Sequence, residues 1–257
     1  HDPGVCCGYH AAEVLWLLGY PDHALRRSKD SLALARELSH PSTMSFALSW
    51  AAWFHQYRGE SYAVRARVEE GMTLATNQGF SSRRAHSAFL QGWLLVEEGH
   101  EQAGITEMAT LLAADRNRGV SGRWIAHSVA LLADAYRKSG RTIEGLRVVT
   151  EEQSRVHISG ARFYQAEVHR IKGELLLTRD ALDEQQAEAC FHDALKIARG
   201  QSAKSLELRA AMSLSRLWKR QGKKEEARQL LAEIYGWFTE GFDTADLKAA
   251  RTLLEEL

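Results

Sequence analysis

Apolar residues recur along this chain at helical rather than strand spacing. In Arg141–Ser159 they fall at Ile143, Leu146, Val149 and Val156, intervals that place them on one face of a helix. Ala85–Glu98 and Ala126–Ser139 are rich in Ala, Leu and Trp and show no strand alternation. Near the end, Leu247, Ala250, Leu254 and Leu257 form one stripe, with Asp243 or Thr244 ahead of it as N-cap. The prolines are Pro3, Pro21 and Pro41. Past residue 41 no pyrrolidine ring interrupts a helix.

Glycine divides this helical text into units. Gly19, Gly59, Gly99, Gly140 and Gly222 are separated by 40, 40, 41 and 82 residues, and the missing member falls near Leu182. A second register, Gly79, Gly119, Gly160, Gly200 and Gly241, has intervals of 40, 41, 40 and 41. Two registers with one period indicate a repeat array. Each glycine stands where a helix must stop and can take the left-handed cap conformation. The unit is therefore helix A, tight turn, helix B, turn.

A third register pairs the helices. Seven residues before the turn glycine lie Ala12, Ala52, Gly92, Ala133 and Ser215; five after it lie Ala24, Val64, Gly104, Gly145 and Ala227. Small side chains at both positions let two antiparallel helices approach closely. Gly173 and Ala187 take these roles in the fifth unit, whose turn carries two extra residues. This order resembles the tetratricopeptide repeat, most closely at Gly173, Ala187, Phe191, Ala194 and Leu195, although the period exceeds the usual 34 residues. The resemblance implies an all-α fold, a right-handed superhelical solenoid of about six hairpins. The array is expected over residues 1–242, in units of about 5–41, 42–80, 81–120, 121–160, 161–201 and 202–242, with a capping helix over 243–257.

The stretches HDPGVCCGYHAAEVLWLLGYPDHAL, ARFYQAEVHRIKGELLL and AKSLELRAAMSLSRLWKRQGKKEEARQLLAEIYGWFTEGFDTADLKAARTLLEEL are similar to the C-terminal repeat region of large bacterial signalling proteins. Those proteins carry an N-terminal class III nucleotide cyclase domain and a central STAND-type ATPase. The resemblance implies a regulatory sensor arm. The chain opens on His1 rather than methionine and reads as a piece of a longer polypeptide. It contains no G-x-x-x-x-G-K-[ST] sequence.

Composition narrows the partners. Lys+Arg and Asp+Glu number 33 each, so no global positive field marks a nucleic-acid binder. Leu38–Tyr57 carries no formal charge but holds Pro41, four serines and two histidines, too polar for a membrane span. Cys6, Cys7 and Cys190 make an odd count without disulfide spacing, and a reducing cytoplasm is the simplest reading. Cys6-Cys7 with His10 lacks the ligand spacing of a tetrahedral metal site. His10/Glu13 and Glu188/His192 lie outside any H-E-x-x-H frame. No metal, cofactor or catalytic residue is expected. The function expected is a non-enzymatic protein-interaction and sensor scaffold. A small-molecule receptor is the alternative, and an enzyme ranks last.

In tetratricopeptide arrays helix A lines the concave groove, and the resemblance carries five positions over, those 13, 10, 6, 3 and 2 residues before each turn glycine. In the first three units they select Tyr9, Trp16, Phe46, Trp53, Tyr57, Phe89 and Trp93. In the fourth and sixth they select Asp134, Arg137, Lys138, Arg209, Arg216, Lys219 and Arg220. The fifth unit, aligned through Gly173, adds Arg170 and Glu174. Rings thus precede cations, and a peptide or helix with an apolar stretch and an acidic end would fit such a groove. Trp50, Trp124, Trp218 and Trp237 are expected in the core. The aromatic half of the groove stands or falls on exposure: if Trp53 and Trp93 are both buried, it does not exist.

Overall fold

The computed structural model describes residues 1–119, 123–159, 163–179 and 183–257. The described residues form helices and no strand. The A helices are α1 (Pro3–Leu17), α3 (Pro41–Tyr57), α5 (Ser81–Glu97), α7 (Arg123–Lys138), α9 (Gln165–Arg179) and α11 (Lys204–Arg220). Their B partners are α2 (Pro21–Leu38), α4 (Ser61–Asn77), α6 (Glu101–Asn117), α8 (Thr142–Ser159), α10 (Glu184–Gly200) and α12 (Lys224–Tyr235), and α13 (Ala245–Glu256) follows. Each A helix packs on its own B helix and on the next A helix. The three prolines stand in the first turns of α1, α2 and α3, where the missing N–H removes no helical bond.

The A-to-B turns share one hydrogen-bond plan. Gly19 has φ 89°; its N–H donates to the Trp16 carbonyl at 3.0 Å, and that of Tyr20 donates to Leu15 at 2.9 Å. The second of these bonds recurs from His100 to Leu95, Arg141 to Tyr136 and Lys223 to Trp218, the Schellman arrangement that satisfies the last carbonyls of a helix. In the second register Gly79, Gly119 and Gly241 have positive φ, whereas Gly160 and Leu182 lie outside the described residues. Gly200 departs from expectation: α10 runs through it, and Ser202 takes the left-handed conformation at φ 54°. The longer fifth unit carries the cap two residues downstream, and Ser39 (φ 52°) is the equivalent cap of the first unit.

The close crossing of the hairpins is present. A Cβ on Gly92 would lie 3.0 Å from the Gly104 carbonyl oxygen, so the two backbones touch. In the sixth unit Ser215 Oγ donates to the Ala227 carbonyl at 3.0 Å. In the fifth, Gly173 faces the Phe191 ring rather than Ala187.

The array does not stay open. Helix α11 returns to pack on α1, and Ser205 Oγ donates to the Trp16 carbonyl at 2.5 Å, 189 residues away in sequence. Beside it, the Glu240 carboxylate accepts the N–H groups of Asp22 (2.9 Å) and His23 (3.0 Å), capping α2 from the far end of the chain. Asp22 Oδ2 in turn accepts Gly241 N–H at 3.1 Å. Any side chain at Gly241 would collide with Pro21, and one at Gly19 with Trp237. The accessible surface is 11851 Å² for 28.8 kDa, close to the roughly 11,300 Å² of a compact monomer of this mass. The A helices thus form a closed inner wall.

Helix α13 caps the array with Leu247, Ala250 and Leu253 buried. Leu253 replaces the expected Leu254, which is only partly buried. Thr244 occupies the N-cap position, but its hydroxyl donates to the Gly241 carbonyl at 2.7 Å. Removing residues 243–257 re-exposes the surface under three buried leucines, Leu247, Leu253 and Leu257, each worth about 1.5–3 kcal/mol. The expected result is a melting temperature lower by about 10 °C and a tendency to aggregate. An unchanged, monodisperse truncated protein contradicts this.

Candidate interaction groove

The aromatic half of the expected groove is absent. Trp53 is 1% exposed and Trp93 7%, and Tyr9, Trp16, Phe46, Tyr57 and Phe89 are also buried. Ring closure is the physical reason: with the A helices facing one another at short range, their inner side chains become core. Trp16 stacks on Tyr57 at 4.8 Å, Tyr57 on His127 at 4.4 Å, and Trp53 meets Trp124 edge-on at 4.2 Å, geometries that aromatic quadrupoles favour. Phe46 instead stacks against His1 near the N-terminal edge. The expectation for Trp237 is also reversed. It is 37% exposed and lies over the seam, in contact with Tyr20 and Lys204.

Some polar side chains within this core are paired, whereas Trp53 Nε1, His86 Nδ1 and Ser128 Oγ are buried without a hydrogen-bond partner among the described residues. Tyr57 Oη donates to the buried Glu13 carboxylate at 2.8 Å. His127 Nε2 and Gln56 Oε1 are 2.7 Å apart. Burial, reinforced by the Arg209 charge, holds the His127 pKa well below the ordinary imidazole value. Burial likewise brings His86 down to about 4.

The ionic half of the wall exists, but most of its cations are already neutralised. Arg209 Nε donates to Asp246 at 2.8 Å, Nη2 to the Tyr57 carbonyl at 2.7 Å and Nη1 to Tyr164 Oη at 3.3 Å. Glu167 lies 3.7 Å from it, and its guanidinium sits 5.0 Å from the Trp16 ring centroid. Burial opposes this charge, yet Asp246, Tyr164 and Glu167 outweigh it and raise the pKa. Arg170 donates twice to Glu167, at 2.9 and 2.7 Å. Burial alone would raise the Glu167 pKa; Arg170 and Arg209 hold it below the usual range. Lys138 contacts Glu97 at 2.5 Å and Asp134 at 3.4 Å, Arg137 bonds Asp134 at 2.8 Å, and Lys219 bonds Glu256 at 2.8 Å. Glu174 accepts from Ser213 at 2.6 Å. Among the described residues, Arg216 and Arg220 are exposed and make no ion pair or hydrogen bond.

Two hollows lie on this wall. A cavity of about 310 Å³ is bordered by Trp93, Asp134, Lys138, Glu167, Arg170 and Arg209. A wider groove of about 600 Å³ opens where α9, α11 and α13 meet, over Leu177, Leu217 and Leu253, and is rimmed by Lys219, Arg220 and Glu256. Arg216 borders both. Of the expected polar site residues Arg137 borders neither, and of the expected rings only Trp93 borders one. The acids that answer the cations were missed, although the register used above falls on Glu97 and Glu167, and on His86, His127 and Leu177 as well. Asp246, on the capping helix, falls outside that register. No family model matches the chain, and no curated protein matches it. No helix among the described residues is long and apolar enough to cross a membrane.

Two outcomes follow. Arg209→Ala removes the cation bonded to Asp246 and one of the two beside buried Glu167 and is expected to cost about 3–5 kcal/mol, whereas Arg216→Ala stays within about 0.5 kcal/mol of wild type; urea unfolding separates them, and equal costs contradict the pairing described. The second concerns pH. Both histidines protonate near pH 6.5 when unfolded but resist protonation when folded. The unfolded chain therefore binds more protons below that value, and stability, full above about pH 6.5, declines as pH falls through it. Replacing His86 and His127 by Gln should flatten the curve between pH 6.5 and about 5, above the carboxylate range. An unchanged slope excludes these residues as its source.

Proposed function

We propose that this chain is a non-enzymatic protein-interaction and sensor module, the regulatory repeat arm of a larger bacterial signalling protein acting in the cytoplasm. The resemblance to the repeat region of cyclase–ATPase proteins supports this reading. The observation that carries it is the groove at α9, α11 and α13. There the inner wall is not filled by rings, and Arg216 and Arg220 are exposed beside Leu177 without an ion pair or hydrogen bond among the described residues. Buried ionisable groups elsewhere on the wall suit structure better than proton transfer. Glu167 is held below the carboxylate range and Tyr164 is pushed upward by burial, both away from a general acid or base poised near pH 7.

A small-molecule receptor is the second reading. The inner cavity of about 310 Å³ favours it, because that volume lies at the lower end of small-ligand sites.

Two screens of the purified chain separate the readings. Selection from a displayed random-peptide library is expected to enrich sequences whose binding is lost on Arg216→Glu. If no peptide is enriched and one metabolite from a panel reproducibly raises the melting temperature, the receptor reading replaces the first. ATP hydrolysis and cyclic-nucleotide formation by the purified chain are expected at background; turnover that survives contamination controls overturns the non-enzymatic assignment.

A further inference from the structure

The groove at α9, α11 and α13 combines features that point to one kind of occupant. Its floor is apolar and built from three different helices: Leu177 of α9, Leu217 of α11 and Leu253 of α13. Leu217 is wholly buried and Leu253 5% exposed, so the floor is anchored in the core. Charge on the rim is unbalanced. Glu256 is already bonded to Lys219, and Glu174 to Ser213 with Arg170 nearby. Arg216 and Arg220 make no ion pair or hydrogen bond among the described residues, Arg216 acting on Glu256 only through its charge at longer range.

Those two arginines are four residues apart on α11. They share one face, about 6 Å apart along the axis. Two like charges so placed repel weakly, and neither has an acidic neighbour within ion-pair distance. Two carboxylates one turn apart on a second helix have the same spacing. A helix lying along α11 would set both carboxylates on the guanidiniums and lower an apolar stripe onto the leucines. Forked guanidinium–carboxylate bonds supply direction, and the partly exposed Leu177 receives the apolar stripe.

We propose that this groove docks an acidic amphipathic helix, one carrying two carboxylates a turn apart beside an apolar stripe. The inference rests on the interaction-module reading above and names the chemistry of the partner. Arg209, by contrast, already directs three of its five donors to Asp246, Tyr164 and the Tyr57 carbonyl.

The test uses the purified chain and a fluorescent, end-blocked peptide of about 15 residues, long enough to form an isolated helix. It has Leu at helical spacing and Glu one turn apart beside the stripe. Anisotropy titration is expected to show binding that weakens with added salt. Combined Arg216→Glu and Arg220→Glu should weaken it about tenfold or more without changing helix content or melting temperature, both residues being exposed and unpaired. A peptide with Lys in place of Glu should recover binding to the reversed variant. The proposal is overturned if the peptide does not bind, or if it binds wild type and reversed variant equally. It is also overturned if a proline-interrupted peptide, or decyl sulfate, binds as tightly with the same arginine dependence. The groove would then take an extended chain or a small amphiphile. If Arg216-dependent peptides emerge from the display library but are neither acidic nor helical, this inference falls while the interaction-module reading stands.

Discussion

Arg209 brings a full positive charge into the inner wall, and five groups from other parts of the chain answer it. Asp246 begins α13, Glu167 belongs to α9, and Tyr164 precedes α9; the Tyr57 carbonyl ends α3, and the Trp16 ring belongs to α1. A buried guanidinium without such partners would be prohibitive. Its position therefore obliges the first two units and the last two to stay together. The seam contacts of Ser205, Glu240 and Gly241 complete what this residue requires, and a solenoid of six hairpins becomes a closed body.

Closure changes the inner face. In an open array the concave positions are free to receive a partner. Here the aromatic rings of α1, α3 and α5 meet those of α7 and the segment before α9, so they stabilise the chain instead. Two of the polar groups trapped among them are paired directly, Tyr57 with Glu13 and His127 with Gln56. Among the described residues the wall leaves a cavity beside Trp93 and Arg209 and a wider groove toward the ends of α9, α11 and α13. In the wider groove the side chains are cationic and aliphatic.

Much of the fold is legible in the chain because it is fixed locally. Turn glycines, cap positions and the small residues at Gly92, Gly104 and Ser215 act within one hairpin, and each leaves a signature at fixed spacing. Register also identifies which side of helix A points inward. What register cannot convey is how near the opposite wall lies. That distance depends on pairs about 190 to 220 positions apart, such as Trp16 with Ser205 and Asp22 with Glu240, which share no periodic pattern. Burial of Trp53 and Trp93 follows from those pairs, as does the exposure of Trp237 beside the seam. The displaced cap at Ser202 has a simpler origin: an insertion shifted the stop while a glycine two residues earlier kept the period.

Closure itself is open to one direct measurement, small-angle X-ray scattering of the purified chain in dilute solution. A closed ring of 257 residues should have a radius of gyration of about 18 Å, the value for a compact domain of this length, with a single symmetric distance distribution. A distinctly larger radius with an extended tail would mean that α11 does not return to α1, and that the inner aromatic residues face an open groove after all.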